Sequence, residues 1–181
     1  MSYDSEHKSE IEKRLVLAED RLAIFELEGA YGPTYDGKQA EAWAALFTED
    51  GVYRGRQLEG MPEQNLVQGR EDLIRFCNEQ QLNGTHFMHL PHIVLDGDTA
   101  TARVHHQYQG ADVDGCGRVQ LRSVTGYYDV LYARTSGGWR IRHRITNYLE
   151  AGRSSFYPYE ETAGDFDSAG FQGISYRDRR S

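Results

Sequence analysis

The feature that most constrains this chain is a change of period part-way along it. Over about residues 9–36, 38–47 and 69–81 apolar residues recur every three or four positions; from Thr85 they alternate. The first spacing stacks side chains along one face of a helix, and the second sends neighbours to opposite faces of a strand. Helices followed by long antiparallel strands make an α+β fold.

Three helices are expected. The first covers about residues 9–36, with Leu15, Ala18, Leu22 and Phe25 at one set of helical spacings and Leu27, Tyr31 and Tyr35 at another. Pro33 should kink or break it near its end, because proline lacks the N–H and crowds the preceding turn. KQAEAWAALF, residues 38–47, is a second, short helix, which TEDG at 48–51 should stop. VYRGRQ then reads as a strand and about Gly60–Gln68 as a loop. The third helix is residues 69–81, with Leu73, Ile74, Phe76 and Cys77 on or near one face.

The strands begin with the hairpin IVLDGDTATARV, residues 93–104, in which Asp96-Gly97 supplies the positive φ of a tight turn. Two more follow, about Val119–Arg134 and Trp139–Leu149, joined at 136–138. Plain alternation in the last puts Trp139, Ile141, His143, Ile145 and Asn147 on a covered face, with Arg140, Arg142 and Arg144 on the wet one. One domain over residues 1–150 is expected, its first eight residues a polar tail. Residues 151–181, without periodicity, read as a C-terminal tail, a lid or an inter-subunit arm.

Charge narrows the partners. The chain of 181 residues has 20 basic and 28 acidic residues, a net −8, and no basic run able to track a phosphate backbone. Nucleic acid is therefore not an expected partner. No apolar run approaches the ~20 residues of a membrane span, and MSYDSEHKSE lacks the basic-then-apolar order of a secretory leader. No membrane partner and a cytoplasmic location are expected. Cys77 and Cys116 form no CxxC pair and read as ordinary thiols. Twelve tyrosines, two tryptophans and seven phenylalanines suit a pocket that is apolar in body and polar at a few points, although surface tyrosines would give the same count.

Five of the seven histidines fall in THFMHLPHIVLDGDTATARVHHQY, residues 85–108. His86, His89 and His92 have the look of metal ligands, but Pro91 and the β-branched residues after it favour an extended chain. On a strand His89 faces away from the other two, which lie about 20 Å apart at ~3.3 Å per residue, while zinc needs its ligands at ~2 Å. No metal is expected. A three-residue loop at 96–98 pairs Val94 with Ala100 and gathers His86, Met88, Val94, Ala100, Ala102, Val104, His106 and Tyr108 on one face. A two-residue loop would turn His105 to that face instead. The three-residue loop groups the apolar residues better.

Three segments in order resemble SnoaL-like proteins of the nuclear-transport-factor-2-like superfamily: TYDGKQAEAWAALFTEDGVY at 34–53, HFMHLPHIVLDGDTATARV at 86–104 and LYARTSGGWRIRHR at 131–144. The resemblance covers about residues 15–150 and is nearest in motif to scytalone dehydratase and the bile acid 7α-dehydratases. It implies a curved antiparallel sheet crossed by three helices, a cone-shaped barrel with a deep pocket. It also implies an Asp–His pair, matched here by Asp36 and His86, a second pocket histidine at His106, and Tyr35 beside the aspartate. Gly126 and Tyr128 depart from the polar groups of scytalone dehydratase at their positions.

A carboxylate beside an imidazole fixes its tautomer and makes it a better general base. Asp36 and His86 are thus expected to abstract a carbon-bound proton, with His106 or Tyr35 assisting oxygen. Tyr31, Tyr128, His143 and Asn147 are candidate substrate contacts. The expected function is a cofactor-independent lyase or isomerase acting on a small cyclic or aromatic hydroxylated compound, in a homodimer or homotrimer. The alternatives are a polyketide cyclase or ketosteroid-isomerase-like enzyme, and a non-catalytic ligand-binding or dioxygenase small-subunit-like protein.

Overall fold

The computed structural model describes residues 3–55, 66–80, 83–113 and 115–156. Helix α1 (Tyr3–Asp36) and the short α2 (Ala40–Ala44) lead into β1 (Phe47–Gly55) and β2 (Leu66–Gln68). Helix α3 (Arg70–Glu79) precedes β3 (Gly84–Met88), β4 (His92–Asp96), β5 (Thr99–Val113), β6 (Val119–Thr135) and β7 (Gly138–Phe156). The sheet runs β2-β1-β7-β6-β5-β3, with β4 also on β5. It is open and mixed: β1 runs parallel to β7, and every other pairing is antiparallel. The fold is α+β, as expected, but the sheet is not wholly antiparallel.

The core forms where α1, α2 and α3 meet one face of this sheet. Ile24, Leu27, Tyr31 and Tyr35 of α1 join Trp43, Phe47 and Leu73 against Val104, Tyr132 and Ile141. Each such large side chain contributes about 1.5–3 kcal/mol by leaving water. Asp20 anchors α1 at the far end of the sheet, accepting from Arg134 Nη1 and Nη2 at 2.7 and 2.6 Å and from Trp139 Nε1 at 3.0 Å. The second apolar stripe of α1 is used, and of the first only Phe25 packs against the core. Ile11, Leu15, Ala18 and Leu22 lie on the other side of the helix, exposed.

Several boundaries differ from expectation, each for a physical reason. Helix α1 starts at Tyr3, inside the expected polar tail, and continues through Pro33 to Asp36. The proline costs little here, because only one turn follows it and the carbonyl it leaves without a donor, that of Gly29, belongs to an exposed residue. The end is a Schellman motif: Gln39 N–H reaches the Thr34 carbonyl at 2.9 Å and Lys38 N–H the Tyr35 carbonyl at 3.1 Å, with Lys38 at φ 56°. That motif makes Asp36 the last helical residue. The TEDG segment does stand after α2, but as an irregularity inside β1, where six β1 residues, Phe47 to Val52, span only the three from Ile141 to His143 of β7. Leu66–Gln68 is a strand; residues 56–65 lie outside the described residues.

Two register findings decide the site. The hairpin loop has two residues, Gly97 and Asp98, since Asp96 pairs with Thr99 and Leu95 with Ala100. Ile93 and Leu95 therefore turn inward and Val94 outward, contrary to the three-residue loop. His106 is nevertheless the inward histidine, because one extra residue sits between β3 and β4: Met88 pairs with His106, whereas His92 pairs with Arg103. In β7, Leu131 pairs with His143 and Tyr132 with Ile141, so Arg142 is a bulge. Beyond it the faces swap relative to plain alternation. Arg144 and Thr146 are buried on the helix side, and His143 is exposed on the other.

Candidate active site

Asp36 ends α1 directly over β3, the edge strand. The approach is close enough that a Cβ on Gly32 would lie 3.2 Å from the His86 carbonyl oxygen. At the free edge the His86 N–H points away from β5 and donates to Asp36 Oδ2 at 2.7 Å, while His86 Nδ1 meets Asp36 Oδ1 at 2.6 Å. One carboxylate thus holds both the strand and the ring. With Nδ1–H given to Asp36, the lone pair of the neutral imidazole is on Nε2. The side chains are 9% and 13% exposed, so the pair is shielded without being sealed.

Aromatic rings surround this pair. Tyr35 meets His86 edge-on at 5.6 Å between centroids, Tyr108 lies at 4.8 Å and His106 at 6.2 Å. His106 stacks on Tyr128 at 4.2 Å. Its ring fits because Gly126 opposite has no side chain: a Cβ there would stand 2.9 Å from His106 Nε2. Burial, reinforced by the charges of His86, Arg144 and His105, pushes the His106 pKa down to about 4. It is neutral at pH 7, able to donate from one nitrogen and accept at the other. Burial likewise raises the phenols of Tyr31, Tyr35 and Tyr128, which stay protonated and act as donors.

Past Tyr128 the stack continues to a buried charge. The Arg144 guanidinium lies between the rings of Tyr31 and Tyr128, 3.7 and 3.9 Å from their centroids. Its Nη1 donates to both oxygens of Glu28 at 2.8 and 3.0 Å, and Tyr132 donates to Glu28 at 2.7 Å. Burial works against the Arg144 charge, but Glu28 and the flanking tyrosines outweigh it and hold its pKa above the usual arginine value. The layers run His106, Tyr128, Arg144, Tyr31.

Buried polar atoms are normally paired. Here both nitrogens of His106, Trp43 Nε1, Tyr108 Oη, and Arg144 Nε and Nη2 find no partner among the described residues. All six atoms belong to residues of, or beside, the layered stack and the Asp36–His86 pair. Together they offer donors and acceptors suited to an oxygenated guest among aromatic walls.

Of the residues expected at a site, Asp36, His86, His106, Tyr35, Tyr31 and Tyr128 share the helix-covered face. His143 and Asn147 do not join them. His143 lies in a shallow groove on the opposite face with His92 and Val94, and Asn147 Nδ2 donates to Asp129 Oδ2 at 3.2 Å on that face. Both were placed inward by an alternation that the Arg142 bulge breaks. His89 and His92 are exposed. Among the described residues no three His, Cys, Asp or Glu side chains converge as metal ligands. Sequence reasoning missed Arg144, Glu28 and the indole of Trp43. Glu28 had a readable signal, a charge at positions three and four from Tyr31 and Ile24 on the buried stripe.

The model of the SnoaL-like domain matches residues 17–145. The chain belongs to the SnoaL-like domain family. A nuclear-transport-factor-2-like protein with a cystatin-like fold from Novosphingobium aromaticivorans is 30% identical to this SnoaL-like protein, with a TM-score of 0.62 over 78% of this chain and 90% of that one. A protein from the same organism assigned as an aromatic ring hydroxylase is 27% identical, with a TM-score of 0.61 over 77% and 94%. A type 2 hexachlorocyclohexane dehydrochlorinase shares the fold at 17% identity, with a TM-score of 0.66 over 78% and 93%. A search of curated proteins gives no match. No helix among the described residues of this SnoaL-like protein is long and apolar enough to cross a membrane.

Proposed function

We propose that this protein is a cofactor-independent lyase of the dehydratase type, or an isomerase, acting on a small cyclic or aromatic hydroxylated compound. The observation that carries the proposal is the double contact of Asp36 with His86, at 2.6 and 2.7 Å. His86 Nε2 takes the carbon-bound proton. Asp36 orients the ring and stabilises the imidazolium that results. Neutral His106 and the protonated Tyr35 hydroxyl are the groups for the oxygen that leaves or becomes an enolate. Tyr31 and Tyr128 supply aromatic walls, and the unpartnered Nε and Nη2 of Arg144 favour a guest with oxygen acceptors.

The test is turnover of a panel of hydroxylated cyclic and aromatic compounds, followed by mass spectrometry for loss of water and by uptake of deuterium from D2O at carbon. His86→Gln should lose both by roughly 10²–10⁴-fold, the usual contribution of a general base. Exchange that persists in His86→Gln would overturn the assignment. The similarity to the ring-hydroxylase protein favours a second reading, a part in the oxidation of aromatic rings. Purification from its native host with a stoichiometric larger chain, and no exchange activity, would favour that reading.

A further inference from the structure

Helix α1 has two apolar stripes on opposite sides, and the domain uses one. Ile24, Leu27, Tyr31 and Tyr35 face the sheet. Ile11, Leu15 and Leu22 are 51%, 56% and 57% exposed, and Ala18 between them is exposed too. At about 100° per residue the two stripes point roughly 150° apart. Every residue from His7 to Glu19 is exposed, so this part of the helix stands clear of the domain.

The steps from Ile11 to Leu15, Ala18, Leu22 and Phe25 are four, three, four and three, the a/d repeat of a two-stranded coiled coil. With Leu15 and Leu22 at a, the e positions are Glu12, Glu19 and Glu26 and the g positions include Arg14 and Arg21. One flank of the seam is acidic and the other basic. In a parallel pair each g residue faces the e residue of the next heptad, so Arg14 meets the partner's Glu19 and Arg21 the partner's Glu26, twice by symmetry. An antiparallel pair would set glutamate against glutamate and arginine against arginine.

We propose that a second copy of this chain docks along Ile11, Leu15, Ala18 and Leu22 to form a parallel α1–α1 pair. The placement of the domains permits it. Their packed face lies on the far side of each helix, so the two bodies hang outward from the shared axis. Gly29, the next a position, is exposed, and a Cβ there would meet nothing within 4 Å. Arg21 gives its Nη1 to the Ile93 carbonyl at 3.1 Å, which leaves Arg14 with the partner's Glu19 as the less encumbered pair.

Sedimentation equilibrium of the full chain tests the seam. The wild type should have twice the 20.7 kDa chain mass, and Leu15→Asp/Leu22→Asp should fall to 20.7 kDa with the sheet's circular dichroism retained. A monomeric wild type, including one whose residues 157–181 cover the stripe in cis, overturns the proposal, as does a variant that keeps its mass. The charge pattern has its own test, which does not depend on the leucine variant folding. Arg14→Glu and Glu19→Arg should each dimerise more weakly alone and regain wild-type affinity when mixed, because only the mixed pair restores both contacts. For orientation, Leu22→Cys in a Cys116→Ser background should crosslink to a dimer on oxidation. A stable dimer that neither responds to mixing nor crosslinks is not parallel and refutes the arrangement.

Discussion

Replacing Glu28 by alanine should be among the most damaging single changes outside the apolar core. Glu28 is 2% exposed and Arg144 is fully buried, so the substitution leaves a guanidinium in the interior with no counter-charge. Removing one partner of such a pair costs about 3–5 kcal/mol, and Tyr132 loses its acceptor as well, which adds roughly 1 kcal/mol. Against a total stability of about 5–15 kcal/mol this is roughly a quarter or more. For a chain of this size it corresponds to a fall in Tm of roughly 8–24 °C, at about 2–4 °C per kcal/mol. The control is Glu49→Ala, which breaks the exposed pair with Arg70 and should cost no more than about 1 kcal/mol. Urea melts of both variants give the comparison, with equal m-values required for it to be valid. Adding Arg144→Met to Glu28→Ala removes the stranded charge and should recover part of the loss. If Glu28→Ala melts with Glu49→Ala, the guanidinium does not depend on Glu28, and the electrostatic reading of the stack is wrong.

Three further outcomes are expected. His106 titrates at about 4 in the fold, below its ordinary 6.5, so the unfolded chain holds the extra proton between those values. Its contribution to stability is complete above pH 6.5 and is lost as pH falls toward 4, up to about 3 kcal/mol; melts at pH 7 and pH 5 should differ less in His106→Phe, and parallel losses would assign the effect elsewhere. Asp36→Asn can still accept the His86 N–H through its carbonyl oxygen, but its amide must then face Nδ1, which forces the ring proton onto Nε2. Nitrogen-15 spectra of the His86 ring should report that switch together with loss of activity, and an unchanged tautomer would refute the orienting role. Gly126→Ala sets a Cβ 2.3 Å from the Asn147 carbonyl and 2.9 Å from His106 Nε2, so it should destabilise by about 1–3 kcal/mol and shift the His106 ring signals; a silent variant would mean the strand yields there freely.

The sequence carried its fold in local signals and hid what depends on register. The change of period placed the three helices before the strands β3 to β7, and Asp96-Gly97 marked the tight turn. The inward direction of His106 was read correctly from a loop one residue too long, because the unpaired residue between β3 and β4 offsets that difference. No such cancellation occurs in β7. Strict alternation ran through Arg142, so Arg144 was placed in water and His143 and Asn147 inside. Bulges answer to the curvature a sheet must adopt against its helices, which no short window of residues encodes. On α1 the periodicity marks two stripes and does not choose between them, for a related reason. Leu15 and Leu22 are as apolar as Ile24 and Leu27, and only the location of the sheet decides which of them is covered.

The Arg142 bulge separates two properties that a strand usually ties together. Deleting Arg142 would leave His143 outward and Arg144 and Thr146 inward, since the extra residue and its removal both preserve the pattern that follows. The bend alone would go. Through this one exposed position the strand can gain or lose its bend while the side chains on its helix-covered face stay the same.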